Sequence, residues 1–167
     1  MSVADLVLTP TGLHFAGRRF ACTIGRGGIR ADKREGDGAT PVGTHRIAGM
    51  YFRPDRLRAA VLPAWAQPIR LGDLWSDDIK DPSYNHLVRA PHPFSHEKMR
   101  RPDPLYDLVM ITDWNWPNAV PGRGSAIFLH SWRRVCYPTA GCVAFSRADL
   151  LWIAARVSLG TRLIVRG

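Results

Sequence analysis

The sequence predicts a mainly β domain with one helix packed on it near the C-terminus. Three observations carry that reading. Short alternating or apolar stretches, punctuated by Gly and Pro, recur along most of the chain as strands joined by turns do. After Ser146 the residues Leu150, Ile153, Ala154 and Val157 fall at helical spacing instead. The 167 residues are 46% hydrophobic and 22% charged, which suits one globular domain over 1–167 with a single real core.

The elements follow in order. Asp5-Leu6-Val7-Leu8-Thr9, Gly12 to Phe15 and Arg18 to Ile24 read as three strands, turned at Pro10 to Gly12 and at Ala16-Gly17. From Gly25 to Gly43 the chain is charged and rich in glycine, a long loop of the kind that usually has a function. Asp37-Gly38 reads as the tip of a structural turn there, not as a phosphate cradle. Thr44 to Phe52 returns to a strand. The stretch 54–104, with many prolines and with His86, His92 and His96, reads as an irregular segment covering one side of the domain. Leu105 to Thr112 and Ser125 to His130 are the clearest buried strands. Ser146 and Asp149 resemble a capping box that starts the helix, Gly160 is expected to close it, and Thr161 to Val165 forms a last strand.

The bulk numbers narrow the function classes. No apolar run approaches the ~20 residues of a membrane-spanning helix. The start, Met1-Ser2-Val3-Ala4-Asp5, lacks the basic, apolar and small-residue regions of a leader, so a cytoplasmic location is expected. Cys22, Cys136 and Cys142 are odd in number and suit a reducing compartment. The net charge of +9 fits nucleic acid, an anionic surface or a carboxylate-rich substrate. The basic residues are scattered, with no aromatic RNA-binding signature and no helix-turn-helix pattern, so neither nucleic acid nor membrane is expected as a partner. No metal and no cofactor is expected either, because His92 and His96 flank Pro93 and lack a helical metal-ligand pattern.

The residues with chemistry lie together. Ile127-Phe128-Leu129-His130 is a buried strand ending in histidine, and twelve residues later Cys142 follows Gly141. A thiol attacks as thiolate and needs a base, and an imidazole at a strand end is held well enough to serve. Gly141 lets the backbone bend so that amides near Gly141 and Cys142 face a developing oxyanion. A thiol so activated is expected to alkylate faster than Cys22. Against this stands the plain alternative of a buried apolar cysteine and a hydrogen-bonded core histidine.

Gly36-Asp37-Gly38-Ala39-Thr40-Pro41-Val42-Gly43, then His130, then Thr139-Ala140-Gly141-Cys142-Val143 resemble the L,D-transpeptidase catalytic domain (YkuD type). The resemblance covers most of the chain. It implies a β-sandwich-like fold and a thioacyl-enzyme that attacks murein stem peptides at the bond between the L-centre of diaminopimelate and the terminal D-Ala. It implies Cys142 as the acylated residue and His130 as base and then acid, oriented by the Ser131 carbonyl, with Thr139 shaping the oxyanion loop. Many members carry Arg two residues after the cysteine, where this chain has Ala144. Arg133 and Arg134, or Arg100 and Arg101, are the candidates to replace it. Ser95-His96-Glu97 and Leu105-Tyr106-Asp107 resemble a short branch of the family and suggest His96 and Tyr106 as substrate contacts. Trp114 and Trp116 are expected to wall the peptide site, and Cys22 to lie in the core. With water as acceptor the activity is that of an L,D-carboxypeptidase in murein recycling, the reading favoured by a cytoplasmic location. With an amine it is a cross-linking transpeptidase, and a basic binding module with an inactive site is the rival from another class.

Overall fold

The computed structural model describes residues 4–167; Met1, Ser2 and Val3, part of the start read as leaderless, lie outside the described residues. The strands are β1 (Leu6–Thr9), β2 (Gly12–Phe15), β3 (Arg18–Phe20), β4 (Cys22–Thr23), β5 (Ile29–Arg30), β6 (Thr40–Pro41), β7 (Gly43–Phe52) and β8 (Gln67–Pro68). They continue with β9 (Asp73–Ser76), β10 (Leu87–Arg89), β11 (His96–Lys98), β12 (Leu108–Thr112), β13 (Phe128–Ser131) and β14 (Val143–Phe145), then helix α1 (Arg147–Ala154) and β15 (Arg162–Val165).

The main sheet runs β3-β2-β1-β15-β7-β12-β13-β14-β4, with β8 added on β7. The far strand β4 comes back beside β2, so the sheet curls on itself in the manner of a sandwich. The ten-residue β7 makes this possible, because it pairs with β15 through its first half and with β12 through its second. Leu6, Leu13, Phe20, Met50, Met110, Leu129 and Phe145 fill the inside, closed by Leu150, Ile153 and Ala154 of α1. Each such side chain contributes roughly 1.5–3 kcal/mol.

β12 is apolar without alternation because both its faces are covered. Leu108 and Met110 point into the main core, whereas Val109 and Ile111 join a second cluster with Ile69, Trp75, Met99, Tyr106, Phe128 and Cys142. That second cluster is roofed by residues of the segment 54–104, which is not the irregular cover expected. It contains the three-stranded antiparallel sheet β10-β9-β11. Strands of three or four residues closed by Pro91, Pro93 and Pro102 are too short to show a period in sequence.

Other expectations shift for local reasons. Arg18 to Ile24 is two strands, and the glycine-rich loop holds the parallel pair β5-β6. β12 starts at Leu108 and β13 at Phe128, and β14, directly after Cys142, had no periodic signal at three residues. Ser146 caps α1 by accepting from the Asp149 amide at 3.1 Å. The helix stops at Ala154, and Val157 is buried beyond it. Gly160 therefore does not close the helix; at φ 83° it turns the chain into β15, its amide bonded to Ile47 O. No helix among the described residues is long and apolar enough to cross a membrane.

Candidate active site

β13 and β14 are parallel neighbours, with Leu129 opposite Val143 and His130 opposite Ala144. That register sets Cys142, just ahead of β14, level with Phe128. Side chains on one strand face alternate, so Phe128, His130 and Cys142 share a face. A residue pair twelve apart in sequence thereby meets at one cleft of about 410 Å³, lined by both Cys142 and His130.

The loop before Cys142 is held from three directions. Thr139 donates its hydroxyl to Cys142 O at 2.6 Å and accepts from the Gly141 amide at 3.1 Å. The Thr139 backbone is bound to β4's continuation, through its amide to Ile24 O and its carbonyl to Arg26 N, both at 2.9 Å. Thr40, from the glycine-rich block, donates to Gly141 O at 2.8 Å and accepts from Gly25 N at 3.0 Å. Gly141 stands at φ 141°, where a Cβ would meet Ala39 O at 2.8 Å. The Gly36 to Gly43 block is itself pinned by Asp37, which accepts from Lys33 Nζ, Arg34 N and Ala39 N. The Gly141 amide, expected as an oxyanion donor, is hydrogen-bonded to Thr139 Oγ1 at rest.

His130 is buried, with Nδ1 2.7 Å from Ser131 O. A carbonyl only accepts, so Nδ1 carries the proton and Nε2 keeps its lone pair. Burial pulls the imidazole down to about 4, with the Ser131 bond opposing it. The Cys142 thiol is also buried; it donates to Ala126 O at 3.0 Å and accepts from Phe128 N at 3.4 Å. Burial, and then the carboxylate of Glu97, push it up to about 12. The pair is neutral at rest, and the thiol proton is directed at Ala126. A buried neutral thiol without its substrate is a poor nucleophile, which runs against the expectation of a resting thiol activated for alkylation. Ala126 stands at φ 53° and its amide donates to Asn85 at 2.9 Å.

The other expected residues divide. Tyr106, Thr139 and Arg133 line the cleft, as do Arg101 and Trp132. Arg134 does not; it stacks over Tyr137 at 4.9 Å on the exposed face. Nor does His96, whose Nδ1 bonds Phe94 O at 2.7 Å while its ring leans on His92. Its neighbour Glu97 faces the cleft instead, as alternation along β11 requires. Arg100 is drawn away to Asp55 at 3.3 Å. Trp114 and Trp116, expected to wall the peptide site, line a separate groove with His45 and Arg123 and not the cleft of Cys142 and His130. Ala144 is fully buried on β14, between β13 and β4. Cys136 is exposed and Cys22 half-buried against the core.

Sequence reasoning passed over Arg26, Glu35 and Asp77, which complete the cleft with Glu97 and Arg101. They are scattered along the chain without a shared motif, so no local signal marks them. The lining therefore carries both signs, not the basic surface the net charge suggests. No group of three His, Cys, Asp or Glu among the described residues is placed to hold a metal.

Residues 9–165 match the family model of the L,D-transpeptidase catalytic domain, YkuD. No curated protein matches the chain. Among solved structures, an L,D-transpeptidase from Mycobacterium smegmatis aligns at 13% identity and a TM-score of 0.45, over 98% of this chain and 57% of that one. The chain thus spans little more than half the length of that protein.

Proposed function

The chain belongs to the L,D-transpeptidase catalytic domain family, and from that premise we propose that it is a cysteine L,D-carboxypeptidase of murein stem peptides. Cys142 is the nucleophile and His130 the base. The observation that carries this is the shared cleft, in which His130 keeps Nε2 unprotonated while Nδ1 is tied to Ser131 O. A stem peptide carries carboxylates and an amine, and the mixed lining of Arg26, Arg101 and Arg133 with Glu35, Asp77 and Glu97 suits such a molecule.

The reaction proceeds in two halves. The Cys142 sulfur adds to the carbonyl carbon of the bond before D-Ala while Nε2 takes the thiol proton. The C–N bond then breaks, and His130 returns that proton to the departing amine of D-Ala. Water adds to the thioester with His130 again as base; the C–S bond breaks and the sulfur regains its proton. Because imidazole and thiol are both neutral at rest, the proton moves as the S–C bond forms, not beforehand.

Murein recycling in the cytoplasm is the setting this reading expects. Incubation with a disaccharide tetrapeptide, followed by mass spectrometry, tests it. Loss of one alanine, abolished in Cys142→Ala, supports the proposal. A cross-linked dimer overturns water as acceptor, and an unaltered peptide overturns the enzyme reading in favour of a binding module.

A further inference from the structure

One side of His130 cannot be tied down permanently, because Nε2 has to accept and release a proton. The Ser131 bond fixes only the opposite edge. The remaining rotation of the ring has to be limited by packing. Tyr106 supplies that wall: it is 6% exposed, and its ring stands edge-on to His130 with centroids 5.3 Å apart. The same ring meets Phe128 at 6.1 Å, and the Arg101 guanidinium lies 5.1 Å from its centroid.

What sets the plane of Tyr106 comes from elsewhere in the fold. Its hydroxyl donates to Glu97 Oε2 at 2.6 Å, a short bond of the charge-assisted kind. Glu97 stands on β11 and pairs in register with Trp75 of β9, and the Trp75 ring is edge-on to Phe128 at 5.0 Å. Phe128 in turn donates its amide to the Cys142 sulfur. The small sheet of the cover segment thus reaches both members of the reacting pair. A buried tyrosine hydroxyl needs an acceptor, but any neutral group would do. A carboxylate beside Asp77 and Glu35, and close enough to raise the Cys142 thiol, is a costly choice for mere satisfaction.

We propose that Glu97 is a positioning residue: through the hydroxyl of Tyr106 it holds the plane of His130, making the β9–β11 sheet part of the catalytic apparatus. This rests on His130 being the base. The test uses Tyr106→Phe, Glu97→Ala, the double variant and Glu97→Gln, which keeps an acceptor oxygen. Release of D-Ala gives kcat and KM, and NMR titration of the isotope-labelled His130 ring reports its surroundings without substrate.

Each single variant is expected to lower kcat about tenfold or more with little change in KM, since small misplacements of a base are costly. The double variant should be no slower than Tyr106→Phe, and Glu97→Gln should recover most of the loss. The His130 ring signals and their titration should move in both singles, because the ring loses its set plane against Tyr106. Additive losses, or changes confined to KM or thermal midpoint with the His130 titration unmoved, overturn the proposal. If Glu97→Ala does not fold, Tyr106→Phe, which removes one oxygen, decides alone. A wild-type protein that releases no D-Ala refutes the carboxypeptidase reading, while the ring titration still judges this one.

Discussion

Thr40→Val replaces a buried hydroxyl by a methyl of the same shape, and its cost follows from two hydrogen bonds. Thr40 is 1% exposed; its oxygen accepts from Gly25 N and donates to Gly141 O. Valine does neither, so a buried amide and a buried carbonyl lose their partner together. Each such orphan costs about 1–3 kcal/mol. A loss of about 3 kcal/mol is expected, which for a domain of this size lowers the thermal midpoint by about 6–12 °C. The Gly141 carbonyl belongs to the peptide bond leading into Cys142, so kcat should fall about tenfold as well. Thr40→Ser keeps the hydroxyl and loses one buried methyl, a cost of about 1 kcal/mol. Circular dichroism melting and D-Ala release, measured side by side, test the account. If valine and serine are indistinguishable in both, the bridge between the two motif blocks does not matter.

Four further outcomes are expected. Burial holds His130 at about 4, so kcat/KM should stay level until pH falls toward that value, and a limb near 6.5 would contradict the burial. The same displacement has a sign for stability: between about 6.5 and 4 the unfolded chain binds a proton that the folded one does not, so stability falls as pH is lowered through that window, and less so in His130→Gln, as urea midpoints would show. Asn85 donates to Trp114 O and Asn115 O and accepts from Trp75 Nε1 and Ala126 N. Asn85→Asp turns a carboxylate toward two carbonyls, and urea denaturation should register a loss above roughly 3 kcal/mol; a loss under about 1 kcal/mol counts against that network. With iodoacetamide at neutral pH, peptide mapping should find the exposed Cys136 labelled before Cys142, a residue 8% exposed whose thiol is pushed up to about 12. Labelling of Cys142 first would mean that the resting thiol is not the neutral one described.

The sequence by itself determined the mainly β class, the helix cap at Ser146, Cys142 and His130 as the candidate nucleophile and base, and the block around Thr40 and Pro41. These are legible because each is written in neighbouring residues, as turn glycines, helical spacing or a short motif. The tertiary structure alone decided the rest. The parallel register of β13 and β14 brings Cys142 level with Phe128, and register between strands leaves no trace within either one. It also set the Tyr106 ring edge-on to His130 and its hydroxyl on Glu97, contacts between segments that no local pattern shows. Glu97 rather than His96 faces the cleft because β11 alternates, a period that three residues are too few to reveal. The neutral state of the thiol and imidazole was equally out of reach. It is set by burial, and burial depends on a cover sheet folded from a segment without a readable pattern.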